Sequence, residues 1–120
     1  MTGDSQRPKA TTPADLHRLL AERGNAKDLD GIVELYEPDA VLTLDRDRPA
    51  VGHAAIRQAF ADLLATDVTF SADGQRPPVE TGDLAITSAR FGPTAYTCEV
   101  ARRQPDGSWR WAIDIPDFLA

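Results

Sequence analysis

The chain has 120 residues, 42% of them hydrophobic and 27% charged, with a net charge of −6. That is enough for one hydrophobic core but not two, and the scattered basic residues make no face on which nucleic acid would dock. Cys98 is the only cysteine and His17 and His53 the only histidines, so neither a disulfide nor a Cys/His metal centre is expected, and no apolar run approaches the ~20 residues of a membrane span.

Residues 1–11 are polar with no hydrophobic centre, unlike a secretory signal. They read as a disordered leader to a domain over 12–120, with the cytoplasm as the expected location. The first helix starts at Thr12, a capping residue, followed by Pro13 and by Asp15 near the capping-box position. Leu16, Leu19 and Leu20 form its apolar stripe, His17 borders that stripe, and Gly24 and Asn25 end it. A second helix over 28–36 carries Leu29, Ile32, Val33 and Tyr36 at helical spacing, which places Tyr36 in the core. Pro38 stops it, and a strand over 40–44 follows. The run from Asp45 to Pro49 is a solvated charged loop. Gly52 then leads into a third helix with Ile56, Ala59, Phe60, Leu63 and Leu64 on one side.

From Val68 the period changes to two, and strands are expected over 68–71, 84–91, 95–103 and 109–115. Helices first and antiparallel strands last make an α+β domain. The Pro105-Asp106-Gly107 turn closes the last hairpin, and two registers fit it. With Pro105 and Asp106 as the loop, Val100 faces Trp111, Cys98 faces Ile113, and Glu99 faces Ala112 with Arg110 and Asp114 diagonal to it. With Gly107 as a bulge, the pairing slips by one. Matching apolar to apolar favours the first. It leaves Glu99, Arg110 and Asp114 in one polar patch over the small residues Ala101 and Ala112, and Cys98 as an inert thiol on the apolar face. Such a patch is either a solvated sheet face with ordinary ion pairs or the floor of a pocket.

The junction from Leu29 through Tyr36 and Pro38 to Leu42 resembles the helix-to-strand junction of the NTF2-like superfamily, which includes ketosteroid isomerases and SnoaL-like cyclases. The resemblance implies a cone of three N-terminal helices on a strongly bent antiparallel sheet, enclosing a small-molecule pocket. Aligned from that junction and from the Asp106-Gly107 turn, the family's pocket face falls on Glu99, Arg110, Ala112 and Asp114. The isomerase base position carries Leu44, its tyrosine position Leu20 and its late-strand acid Glu99, so a true ketosteroid isomerase is not implied. Epoxide hydrolases of this fold use two aspartates and an arginine, chemical types that Glu99, Arg110 and Asp114 supply at a different spacing. Asp114 suits the acidic role of SnoaL-like cyclases.

Catalytic roles are therefore expected of Asp114, Glu99 and Arg110. Ligand contacts are expected of Leu20, Leu44, Phe60, Ala101, Ala112, Arg90 at the rim and His53 at the start of the third helix. The expected ligand is a small hydrophobic molecule, with no metal, cofactor, nucleic acid or membrane involved. A homodimer joined through the strand face around Trp109 and Trp111 is expected, because a chain of this size has difficulty covering both indoles. Two functions fit these residues: a cofactor-free cyclase, isomerase or hydrolase, and a binding or accessory module whose pocket has lost its chemistry.

Overall fold

A computed structural model describes residues 7–91 and 93–119. Three helices, α1 (Asp15–Asn25), α2 (Leu29–Val33) and α3 (His53–Leu64), pack on one face of a curved six-stranded sheet. The strands are β1 (Tyr36–Leu42), β2 (Ala50–Val51), β3 (Val79–Thr81), β4 (Leu84–Phe91), β5 (Ala95–Arg103) and β6 (Trp109–Leu119), in the spatial order β2-β1-β6-β5-β4-β3. This is the α+β cone that the resemblance implied. Its sheet is mixed rather than wholly antiparallel, because β1 runs parallel to β6.

Several boundaries differ from those expected, each for a physical reason. The second helix ends at Val33 instead of 36, since the Leu35 carbonyl accepts the Trp111 amide at 2.8 Å and Tyr36 opens β1. Tertiary pairing outweighs one further helical turn. Pro38 lies in the stretch where β1 and β6 lose register, where its missing N–H removes no ladder bond. Residues 68–71 form no strand; Phe70 is tied to α1 through Asn25, and its ring lies 2.5 Å from where a Cβ on Gly24 would stand. β2 and β3 were not foreseen. Segment 7–11 is docked: Arg7 pairs with Asp28 and Glu34, Ala10 is buried, and its carbonyl accepts the Trp109 amide. Residues 1–6 of the expected leader lie outside the described residues.

The last hairpin decides which side chains face the helices. The Gly107 amide donates to the Gln104 carbonyl and Gly107 takes φ +87, so the turn is the bulged one. The pairing is Arg102 with Arg110 and Ala101 with Trp111, not Val100 with Trp111. Ala112 is then extra, and beyond it Val100 faces Ile113 and Glu99 faces Asp114. This second bulge reverses the alternation of β6, sending both Trp111 and Asp114 inward and Ile113 outward. Simple period two put Trp111 and Ile113 on one face and Asp114 on the other.

Both indoles are covered within the chain, Trp109 at 5% exposure and Trp111 at 0%. The surface expected to drive dimerisation is therefore interior. Ala40, Ala85 and Ala101, small residues of the inner sheet face, leave room for the ring of Trp111 and for Tyr36 and Phe60, which stack near it.

Candidate active site

The inner face of β4, β5 and β6 brings Thr87, Glu99, Trp111 and Asp114 together beneath α1 and β1. Glu99 is 2% exposed and Asp114 5%, and the two stand directly opposite each other in the ladder. Glu99 Oε1 accepts from the Thr87 hydroxyl at 2.5 Å and lies 2.7 Å from His17 Nε2. Thr87 Oγ1 in turn accepts the Trp111 indole N–H at 3.0 Å. The Trp111 ring meets His17 edge-on, with centroids 5.2 Å apart. Asp114 Oδ2 accepts the Tyr36 hydroxyl at 2.5 Å. Among the described residues no buried side-chain nitrogen or oxygen lacks a partner.

Two carboxyls facing each other in a dry interior cannot both carry charge cheaply. Burial, and then the Glu99 charge, push the Asp114 carboxyl up to about 7, against the opposing pull of the Tyr36 hydroxyl and His17. Burial and the Asp114 carboxylate push the Tyr36 phenol well above its ordinary value, so it remains a donor. The cluster therefore pairs a carboxyl that titrates near neutrality with a fixed phenolic donor. Among the described residues no group of three or more His, Cys, Asp or Glu side chains is arranged to hold a metal ion.

Of the expected catalytic residues, Glu99 and Asp114 are brought together and Arg110 is not. Arg110 faces Arg102 across the ladder, on the side of the sheet away from the carboxyls, and borders a cavity of about 20 Å³ beneath the docked segment 7–11. Ala101 lies inside beneath Trp111, and Phe60 packs tilted against Tyr36, with ring centroids 5.9 Å apart. Ala112 is the half-buried bulge residue, and Leu20 is partly buried against the core. Leu44 is exposed beyond the end of β1, and Arg90 is exposed and donates to the Pro93 carbonyl, so neither approaches the carboxyls. His53 Nε2 lies 2.7 Å from the Tyr36 carbonyl, where it fixes the backbone that carries the phenol.

Sequence reasoning missed His17, Tyr36, Thr87 and Trp111. Thr87 was the most accessible, since it alternates with Ala85 and Ala89 on one face of an expected strand. His17 follows Leu16 directly, at the edge of the helix 1 stripe, and only the tertiary contact with Glu99 distinguishes it from a boundary residue.

A family model for the SnoaL-like domain matches residues 16–117. The chain belongs to the SnoaL-like domain family. No curated protein matches it. Among solved structures, it is similar to a provisionally named calcium/calmodulin-dependent protein kinase type II association domain from Thiobacillus denitrificans, with 16% identity over 91% of this chain and 96% of that one and a TM-score of 0.70. It is also similar to a ketosteroid isomerase-like protein from Erwinia carotovora atroseptica, at 19% identity over 83% and 88% of the two chains and a TM-score of 0.67. A provisionally named dehydratase of the NTF2-like family from Streptomyces avermitilis matches at 16% identity over 82% and 88%, with a TM-score of 0.60. At such identities these structures show a shared fold alone, and their names range from association domain to enzyme.

Proposed function

We propose that this SnoaL-like protein is a cofactor-free acid–base enzyme acting on a small hydrophobic carbonyl or hydroxyl compound, with Asp114 as its proton-transferring group. The observation that carries this reading is the buried, directly opposed Glu99–Asp114 pair, whose Asp114 member titrates at about 7. A carboxyl with that pKa can both accept and return a proton at neutral pH, which isomerisation, aldol closure and dehydration all require. Glu99, held by Thr87 and His17, stands opposite Asp114 and helps to raise its pKa, which favours the acid form of Asp114. Tyr36 holds the reactive carboxyl in one orientation. Arg110 has no part in this scheme.

One observation favours a second reading, a non-catalytic ligand-binding or accessory module. Every buried polar side-chain atom among the described residues is already satisfied, and neither the cavity beside Arg110 nor the groove beside Ile115 touches Glu99 or Asp114. Under the enzyme reading, a substrate enters by displacing the aromatic side chains over the pair.

The test is hydrogen exchange from D2O into small ketones, polyketide fragments and steroids, chosen first by thermal shift. An enzyme washes deuterium into the carbon next to a carbonyl, and Asp114→Asn abolishes this while the ligand-induced thermal shift remains. Binding without exchange or turnover in the unmodified protein supports the second reading. A chain that neither binds nor exchanges contradicts both.

A further inference from the structure

His17 straddles the boundary between the buried network and the surface. It lies in the first turn of α1, beside Leu16 and Leu19, which turn into the core. Its Nε2 lies 2.7 Å from Glu99 Oε1, and the edge-on contact with the Trp111 ring fixes the plane of the imidazole. Its Nδ1 bonds to no group among the described residues, yet no fully buried side-chain nitrogen there lacks a partner, so Nδ1 stands at the surface. The exposures agree. The His17 side chain is 9% exposed and that of Glu99 1%, while Tyr36, Thr87 and Trp111 are at 0%.

We propose that His17 is the gate through which the buried Glu99–Asp114 pair exchanges protons with water. Resting on the acid–base reading, the gate supplies what a carboxyl enclosed in the core needs, a way to be reloaded. Imidazole carries a proton on either nitrogen, which suits it to passing one across its ring. The ring takes a proton from water at Nδ1 and gives the one on Nε2 to Glu99 Oε1, and the reverse sequence returns a proton to water. One proton enters for each that leaves, and only N–H and O–H bonds change. The Thr87 hydroxyl holds Glu99 Oε1 in place to receive it, and Asp114 stands directly opposite Glu99 in the ladder. The groups that act on Asp114 are Glu99, Tyr36 and His17, so the imidazole is felt at the reactive carboxyl although it bonds to the neighbouring one. His17 is thus a positioning residue that works through Glu99, whereas Asp114 meets the substrate.

The Tyr36 hydroxyl reports on this route without any substrate, because it is wholly buried and donates to Asp114 Oδ2. Exchange of its proton with water, measured by NMR magnetisation transfer, is therefore the test. In His17→Gln the amide nitrogen can still donate to Glu99 but cannot pass a proton on, so exchange should slow at least about tenfold, the scale of a lost proton-transfer group. Near-UV circular dichroism checks that the fold is kept. His17→Ala is the second variant, in which exchange should be slow and should recover with added imidazole, which occupies the hollow that the ring leaves. A structural role alone predicts no loss in His17→Gln and no rescue of His17→Ala.

Unchanged exchange in both variants overturns the proposal, because Asp114, 5% exposed, then reaches water by itself. Slowing that imidazole does not reverse also overturns it, as does a hydroxyl proton in the parent that fails to exchange over hours. Where the parent washes deuterium into a ketone, His17→Gln should lower wash-in by a larger factor than turnover, since a proton kept on the pair returns to the substrate. A parent whose Tyr36 proton exchanges through His17 but which acts on no ketone contradicts the acid–base reading and leaves the gate standing. The two failures are therefore distinguishable.

Discussion

The inner and outer faces of β4, β5 and β6 reverse the usual arrangement of a half-buried sheet. The inner face buries Thr87, Glu99 and Asp114, three polar side chains, under His17 and Tyr36. The outer face carries Ile86, Val100 and Ile113, their immediate neighbours along the chain and partners of one another in the ladder. Burying carboxyls costs free energy unless they are bonded, and exposing an aliphatic row costs free energy unless it is covered. A sheet selected only for stability would exchange the two sets. The inner cost is offset by a fully bonded network among the described residues.

The largest expected effect on this contrast comes from Trp111→Ala. It removes the ring that contacts His17 and Tyr36 and the donor to Thr87, and should destabilise the chain by about 3–5 kcal/mol in urea unfolding. A loss below about 1 kcal/mol would mean that the inner face is not a packed core.

Asp114→Asn should act in the opposite direction, and only at higher pH. The folded chain favours the acid form of Asp114, so its contribution is fully present below the unfolded aspartate value of ~3.9 and is lost as pH rises through about 7. The amide does not ionise. The variant should match the parent near pH 4 and exceed it in stability by up to about 2–4 kcal/mol at pH 8. Equal stability of the two proteins at pH 8 would show that the carboxyl is not held in its acid form.

Tyr36→Phe sharpens the same account. The phenol opposes the rise in the Asp114 pKa, so its removal should shift the carboxyl titration to still higher pH and cost about 1 kcal/mol. The smallest effect belongs to Arg110→Ala, which should leave the Asp114 titration unchanged, because Arg110 faces the other side of the sheet. A shifted Asp114 titration in that variant would restore the register that the Gly107 turn excludes.

The fold was legible because its strongest signals are local. The stripes of α1 and α3, the alternation of β4 and β5 and the junction at Pro38 need only neighbouring residues to be read, and β5 has the expected limits. The Glu99–Asp114 association was legible for a partly mistaken reason. Both residues were placed on one polar face by period two, whereas Asp114 points inward because Gly107 shifts the turn and Ala112 shifts the strand again. Two compensating bulges leave little signature in a sequence, since each alone would have mismatched the apolar faces. The same pair of shifts separated Arg110 from the carboxyls and covered the tryptophans. His17, Tyr36 and Thr87 could not be assembled because they lie on three elements far apart in the chain, each with an ordinary core explanation.

The most direct test of the central claim is the Asp114 titration itself, followed by carboxyl 13C NMR in protein labelled at aspartate and glutamate, with Asp114→Asn supplying the assignment. The acid–base account predicts a midpoint near the value of about 7. A midpoint near the ordinary ~4 of an exposed aspartate would contradict it, because the carboxyl would then hold no proton to donate at neutral pH.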